Sequence, residues 1–140
     1  MPEKKKLYVG CSLTHAPEDF KQQVADLKLA LTRQWDVLEF VGLVAGTPAE
    51  VHQTDIGHIH NCDAFLGICD YPSLGLGGEL DRAWVLEKPG LGVAHVSTKV
   101  SRFVLGAADI YPNFSFDYYH NMVIDVPEIA AEVFEPVLYN

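Results

Sequence analysis

A chain of 140 residues accommodates one domain with one hydrophobic core, so we predict a single domain over residues 1–140. The formal net charge of −9 disfavours broad nucleic-acid binding, which needs clustered lysines and arginines. The three cysteines lie in or beside apolar segments, which indicates reduced thiols in a cytoplasmic protein. The apolar run after the first lysines is far too short for a signal peptide or a membrane span.

The first half of the chain alternates between strand-like and helix-like segments. KLYVGCSL (6–13) predicts a strand, and apolar residues at helical spacing after Pro17 predict a helix. WDVLEFV (35–41) predicts the second strand. Residues 47–63 predict a helix because they open with a threonine, a proline and a glutamate in a capping pattern, although Gly57 weakens the pattern.

The second half continues this alternation. AFLGICD (64–70), KPGLGVAHV (88–96) and NFSFDYY (113–119) predict strands. Helices are predicted from about Leu76 to Glu87, in TKVSRFVLGAA (98–108) and in PEIAAEVFEPVL (127–138). The pattern predicts an α/β fold: a doubly wound, mostly parallel five-stranded sheet with helices on both faces, Rossmann-like or flavodoxin-like.

Sheets of this kind bind ligands beyond the C-terminal ends of their strands, and this rule selects three segments. They are GCSLTH (10–15), the residues after the second strand, and CDYPSLGLGGE (69–79). The glycines of the last segment allow a ligand to approach the backbone, but the pattern matches neither a dinucleotide fingerprint nor a Walker loop. A plain strand-to-helix turn and a cradle for an anion both remain open.

Two carboxylates are candidates for chemistry. Glu79 begins the predicted third helix, where it either stabilises the helix dipole or attacks an electrophilic anomeric carbon. Asp55 falls inside the second helix, where aspartate is a poor helix former, so it is either functional or a surface residue. His52, His58 and His60 do not share one helical face, so we expect no metal site.

Three segments resemble the nucleoside 2-deoxyribosyltransferase superfamily. They are LYVGCSL (7–13), VSRFVLGAAD (100–109) and HQTDIGHIHNCDAFLGICDYPSLGLGGELDRA (52–83). The chain is most similar to the branch of 2′-deoxynucleoside 5′-monophosphate N-hydrolases, which is related to bacterial cytidylate hydrolases. The resemblance runs from about residue 6 to residue 120, in register with the predicted elements, and PSLGxGxELxRA is its most specific part.

The resemblance implies roles for three catalytic residues. It implies that Glu79 forms a glycosyl-enzyme intermediate, that Asp55 contacts the sugar and donates a proton, and that Tyr8 lies near the sugar. Asp81 stands where the related proteins usually have glycine, and its charge either raises the pKa of Glu79 or faces solvent.

The resemblance also implies a phosphate-binding region. Ser12 would belong to a loop around the 5′-phosphate, and the second wall of that region would contain Ser73, Gly75 and Gly77. Ser101 would reach the site of a neighbouring subunit, which implies a homodimer with a shared active site.

One position favours a phosphorylated substrate and one departure opposes it. Transferases acting on free nucleosides tend to carry an aspartate where this chain has Ser73, and a serine does not repel a dianion. The arginine that the hydrolases usually carry after the first strand is missing from Cys11–His15, which removes a bidentate phosphate contact. His15 would replace it in part if protonated.

These observations lead to one expected function and several alternatives. We expect an N-glycosidase that cleaves the base–sugar bond of (deoxy)nucleoside 5′-monophosphates through a covalent glycosyl-glutamate, with no metal or organic cofactor. The alternatives are a nucleoside 2-deoxyribosyltransferase that exchanges bases, a nucleotide-binding sensor without turnover, and a flavodoxin-like redox module. The last is weakest because the chain lacks the Ser/Thr-rich phosphate loop of flavin binding.

Overall fold

The computed structural model describes residues 3–38 and 46–139. Five parallel strands form one sheet in the order β2-β1-β3-β4-β5. The strands are β1 (Lys5–Cys11), β2 (Trp35–Leu38), β3 (Ala64–Ile68), β4 (Gly90–His95) and β5 (Phe114–Tyr119). The helices are α1 (Glu18–Leu31), α2 (Pro48–Asn61), α3 (Leu74–Val85), α4 (Arg102–Ile110) and α5 (Met122–Leu138).

This strand order is the flavodoxin-like doubly wound order, so the predicted fold class is confirmed. All ten predicted helices and strands occur, and they follow one another in the predicted order. The end of the second predicted strand, residues 39–41, lies outside the described residues. Within the described residues, no helix is both long and apolar enough to cross a membrane.

Helices cover both faces of the sheet because side chains of each strand alternate between the faces. On one face, α1 and α5 pack on Leu7 and Val9 of β1. On the other face, α2, α3 and α4 pack on Tyr8 of the same strand and on Phe65 of β3. The chain therefore changes faces around β1, which has β2 on one side and β3 on the other.

Two helices begin earlier than their sequence predicts. Ser73 caps α3 by accepting a hydrogen bond from the backbone N–H of Leu76 (3.0 Å), so α3 starts at Leu74 rather than Leu76. The capping amide of Asn121 starts α5 at Met122, five residues before the predicted start. The predicted proline start is wrong because Pro127 lies inside this helix.

The start of α2 confirms its predicted capping pattern, and an aspartate side chain joins the start of β3 to β1. Thr47 caps α2, and Glu50 completes a reciprocal capping box with it. Asp63 precedes β3 and accepts a hydrogen bond from the backbone N–H of Lys6 at 2.7 Å. At the other end of the sheet, Asp70 accepts from the Tyr119 hydroxyl at 2.6 Å.

A row of three glycines crosses the sheet on its α2–α3 face. Gly10 pairs with Gly67, and Gly67 pairs with Gly92 on the next strand. A Cβ atom on Gly10 would lie 2.9 Å from Oε1 of Glu79, and one on Gly67 would lie 3.0 Å from a methyl carbon of Leu80. Both residues of α3 therefore approach the backbone of the sheet more closely than a side chain on the strands would allow.

Candidate active site

A partly buried carboxylate and a buried phenol meet near the C-terminal end of β1. The Tyr8 hydroxyl donates a hydrogen bond to Oε2 of Glu79 at 2.5 Å. Tyr8 is 1% exposed, and its ring packs on Phe65 with 5.5 Å between the centroids. The contact joins residues 71 positions apart, because β1 and α3 meet at the edge of the sheet where ligands of such folds bind.

Burial brings the pKa of Glu79 close to neutral pH. Desolvation and, to a smaller extent, the nearby Asp55 raise the pKa of this carboxyl, and the net pKa is about 7. The hydrogen bond from Tyr8 and the charge of Lys28 lower the pKa. Burial and the charge of Glu79 also raise the pKa of Tyr8 above its usual value, so Tyr8 stays protonated and continues to donate.

Asp55 of α2 is the second carboxyl of the site. Desolvation raises its pKa, while His58, His52 and Lys28 oppose that rise. Its Oδ1 atom is buried and has no hydrogen-bond partner among the described residues. A buried, unpaired oxygen on a carboxyl with a raised pKa is suited to exchange a proton with a bound molecule.

Two cavities adjoin this pair of carboxyls. The β1–α1 cavity has a volume of about 420 Å³ and is lined by Gly10, Cys11, Thr14, Lys21, Ser73 and Leu76, among others. The α2–α3 cavity has a volume of about 620 Å³ and is lined by Val51, His52, Ile56, Leu74, Gly78 and Arg82, among others. Both cavities also contact Asp55, Gly75 and Glu79, so the two carboxyls lie where the cavities meet.

The predicted glycine loop is wrong as a description of the backbone. Gly75 and Gly77 lie in the first two turns of α3, because the cap on Ser73 starts the helix before them. Ser73 and Gly75 do line the β1–α1 cavity. Gly77 is exposed and is not among the described lining residues of either cavity.

The two remaining predicted binding residues lie elsewhere. Ser12 is fully buried, and its hydroxyl has no hydrogen-bond partner among the described residues. Leu13 and Thr14, which follow it, line the β1–α1 cavity instead. Ser101 is exposed and caps α4, where its Oγ accepts from the backbone N–H of Phe103 at 3.2 Å. Neither serine is among the described residues that line the two cavities.

Three further residues answer questions raised by the sequence. His15 is exposed and is not among the described lining residues, whereas Lys21 of α1 lines the β1–α1 cavity. The sequence analysis missed Lys21 because a lysine in the first turns of a helix has no distinguishing pattern. Asp81 is exposed on α3, and the charges that shift the pKa of Glu79 come from Asp55 and Lys28 instead.

Within residues 3–38 and 46–139, no group of three His, Cys, Asp or Glu side chains is placed to hold a metal ion. The chemistry available to the described residues is that of two perturbed carboxyls and a phenol. A buried carboxylate with a fixed orientation is suited to nucleophilic attack, and a second carboxyl that holds a proton is suited to general-acid catalysis.

Comparison of the sequence with family models and with curated proteins finds no significant match. Among solved structures, the chain is similar to the CMP N-glycosidase BcmB from Clostridium botulinum, with 18% identity, a TM-score of 0.72, and coverage of 91% of this chain and 99% of that one. BlsM has 17% identity, a TM-score of 0.71, and coverage of 98% of both chains. A 2-deoxyribosyltransferase from Leishmania mexicana has 16% identity and a TM-score of 0.60, with 91% of this chain and 96% of that one covered. The chain shares the nucleoside 2-deoxyribosyltransferase-like fold with these proteins.

Proposed function

We propose that this chain is an N-glycosidase that cleaves the base–sugar bond of nucleoside 5′-monophosphates. The observation that carries the proposal is the partly buried Glu79, held by Tyr8 at the junction of two cavities beside Asp55. Two solved proteins of the same fold, a CMP N-glycosidase and a 2-deoxyribosyltransferase, act on bonds of this kind, and their similarity to this chain supports the proposal.

The first step is an attack by the Glu79 carboxylate on the anomeric carbon C1′. The C1′–N bond breaks, the base leaves with the bonding electron pair, and Asp55 supplies the proton that neutralises the base. The Tyr8 hydroxyl keeps Oε2 of Glu79 in a fixed position throughout, because this phenol is protonated at neutral pH. The product of the step is a glycosyl ester on Glu79.

The second step is hydrolysis of that ester. Water attacks C1′, its proton passes to the carboxylate of Asp55, and the C1′–O bond to Glu79 breaks with the electron pair returning to the carboxylate. The sugar phosphate leaves, and Asp55 is again protonated for the next cycle. The raised pKa of Asp55 favours its role as the proton donor, and a Glu79 pKa of about 7 leaves about half of this carboxyl ionised for attack at pH 7.

The two cavities suggest how the substrate lies. The sugar occupies the junction at Glu79 and Asp55, and the phosphate extends into the β1–α1 cavity toward Ser73 and Gly75. The base occupies the α2–α3 cavity, whose lining combines apolar side chains with polar groups such as Arg82.

The proposal is tested with Glu79→Gln and Asp55→Asn, assayed by chromatography of free base released from a panel of nucleoside monophosphates and nucleosides. We expect Glu79→Gln to abolish turnover, because an amide is not a nucleophile here, and Asp55→Asn to reduce it strongly. Mass spectrometry of the protein after incubation with a slow substrate is expected to find the sugar attached to the peptide that contains Glu79. Release of base by Glu79→Gln at the wild-type rate would contradict the nucleophile assignment.

Base exchange is the second candidate, favoured by the size of the α2–α3 cavity and by the fold shared with a 2-deoxyribosyltransferase. In that reaction a second base replaces water in the second step. Adding a labelled free base to the assay separates the two outcomes: a labelled nucleoside or nucleotide indicates transfer, and free sugar phosphate indicates hydrolysis.

The proposal includes a homodimer in which Ser101 reaches the partner's site. Its support is an apolar surface near Ser101: Phe103 and Ile110 of α4 are 73% and 75% exposed, and Val85 of α3 is 67% exposed. Sedimentation of the wild type and of Phe103→Glu tests it. A fully active wild-type monomer would contradict this part of the proposal.

A further inference from the structure

Lys21 is the positive charge of the β1–α1 cavity. It lies in the first turns of α1, its side chain is 25% exposed, and it lines the cavity together with Thr14 and Ser73. It is the one lysine or arginine among the described lining residues of this cavity, and the sequence has neither residue type in 39–45. Lys21 is therefore the basic side chain that borders the space an anion would enter.

The ammonium group of Lys21 is not committed to a strong internal partner. Its Nζ lies 3.3 Å from Oε1 of Glu18, one helical turn away, but the Glu18 side chain is 91% exposed. Exposed pairs of this spacing contribute little to stability, since water solvates both charges. Lys21 can therefore exchange this contact for a ligand at small cost.

The charge of the rest of the site creates a need for such a cation. Glu79 and Asp55 border the same cavity, and the whole chain has a net charge of −9. A dianion bound here is repelled by these carboxylates. Lys28 of α1 is a second cation near the site, because its charge lowers the pKa of both carboxyls, but Lys21 is the one that lines this cavity among the described residues. The opposite wall of the cavity contributes Ser73 and Gly75 at the beginning of α3, where the positive end of the helix dipole lies.

We propose that Lys21 binds the 5′-phosphate of the substrate and gives the enzyme its preference for nucleotides over nucleosides. This inference rests on the proposed function, because it assumes that the sugar lies at Glu79. It assigns the phosphate contact to a helix residue rather than to the loop 11–15, which contains no arginine. A lysine serves this role as a mobile point charge, without the fixed fork of a guanidinium group.

The test compares Lys21→Met with Lys21→Arg and with Lys99→Met. Lys99 is exposed and is not among the described lining residues of either cavity, so Lys99→Met removes the same charge elsewhere. Binding of ribose 5-phosphate and of ribose is measured by calorimetry, which requires no turnover. Initial rates with matched pairs of nucleoside monophosphate and nucleoside give the ratio of their kcat/KM values.

We expect Lys21→Met to weaken ribose 5-phosphate binding and to lower the nucleotide-to-nucleoside ratio by about tenfold to a hundredfold, the loss typical of one charge-assisted hydrogen bond. Lys21→Arg is expected to keep most of the ribose 5-phosphate affinity and most of the nucleotide-to-nucleoside ratio. Lys99→Met is expected to change neither the affinity nor the ratio. An equal loss for nucleotide and nucleoside, an unchanged ratio, or no binding of ribose 5-phosphate to the wild type would each overturn the inference.

The outcomes also separate this inference from the proposed function. If no substrate releases a base but ribose 5-phosphate binds in a Lys21-dependent manner, the glycosidase proposal fails and the phosphate site stands. If base is released and Lys21→Met keeps the wild-type selectivity, the glycosidase proposal stands and Lys21 is not the phosphate ligand.

Discussion

Replacing Tyr8 with phenylalanine removes a single hydroxyl from the site and leaves the packing of the ring in place. The ring lies against Phe65 and is buried, so the core keeps its shape. What is lost is the 2.5 Å hydrogen bond to Oε2 of Glu79. That bond stabilises the charged form of the carboxylate, and its loss raises the pKa of Glu79 above its value of about 7.

The size of this shift follows from the energy of the bond. A hydrogen bond to a charged group contributes about 1.5–3 kcal/mol, which corresponds to about one to two pKa units. At pH 7 about half of the wild-type Glu79 is ionised. With a pKa one to two units higher, about 10% to 1% is ionised, so kcat/KM at pH 7 is expected to fall by about fivefold to fiftyfold.

The assay is the pH profile of kcat/KM for base release between pH 5 and 10. The acidic limb of the Tyr8→Phe profile is expected to move to higher pH, and the deficit is expected to shrink to about twofold or less at pH 9. Tyr119→Phe is the matched control, because the hydroxyl of Tyr119 on β5 also donates to a carboxylate, that of Asp70, which is not part of the proposed site. A deficit of the same size at every pH would refute the reasoning, since it would mean that Tyr8 does not act through the ionisation of Glu79.

Three further predictions follow from the same geometry. The folded state raises the pKa of Glu79 from 4.5 to about 7, so this group lowers the free energy of unfolding as the pH rises through that interval. Glu79→Gln is therefore expected to stabilise the fold by about 3 kcal/mol above pH 8 and by almost nothing below pH 4, as measured by urea unfolding. Gly10→Ala is expected to displace the Glu79 carboxylate, which lies 2.9 Å from the new methyl group, and to lower kcat at least about tenfold. Gly57→Ala is the control and should keep full activity, because its new methyl group has no neighbour within 4 Å among the described residues outside the backbone of its own helix. Burial raises the pKa of the Cys11 thiol to about 11, so alkylation by iodoacetamide at pH 7 is expected to be far slower than that of free cysteine, and rapid modification would contradict this burial.

Much of the fold was predictable because helical spacing of apolar residues marks the amphipathic helices, and short apolar runs rich in β-branched and aromatic residues mark the buried strands. The boundaries of α3 and α5 were not, because each depends on which of several polar residues supplies the cap. Asn121 begins α5, although Pro127 is the stronger signal in the sequence, and Ser73 begins α3 ahead of its glycines. Such choices depend on the geometry of the preceding turn, which a sequence pattern does not specify.

The members of the candidate site were predictable where reactive side chains lie at the C-terminal ends of strands. Tyr8 and Glu79, which the resemblance named as site residues, are joined by a hydrogen bond that the sequence did not predict, and Asp55 borders the same cavities. The phosphate region was less predictable, because the direction of a side chain after a strand depends on the turn that follows. Ser12 turns inward and is buried, while Lys21, ten residues beyond β1, lines the cavity.

The glycine row across the sheet has a consequence for protein engineering. The position of Glu79 is limited by the bare backbone of Gly10, so its carboxylate cannot be moved closer to the sheet, and any side chain added there pushes it outward. Libraries that seek new substrates are therefore better directed at Val51 and Ile56 of α2, which line a cavity of about 620 Å³. Randomising the glycines would move the carboxylate of Glu79, whereas randomising these α2 residues would change the lining of the adjoining cavity.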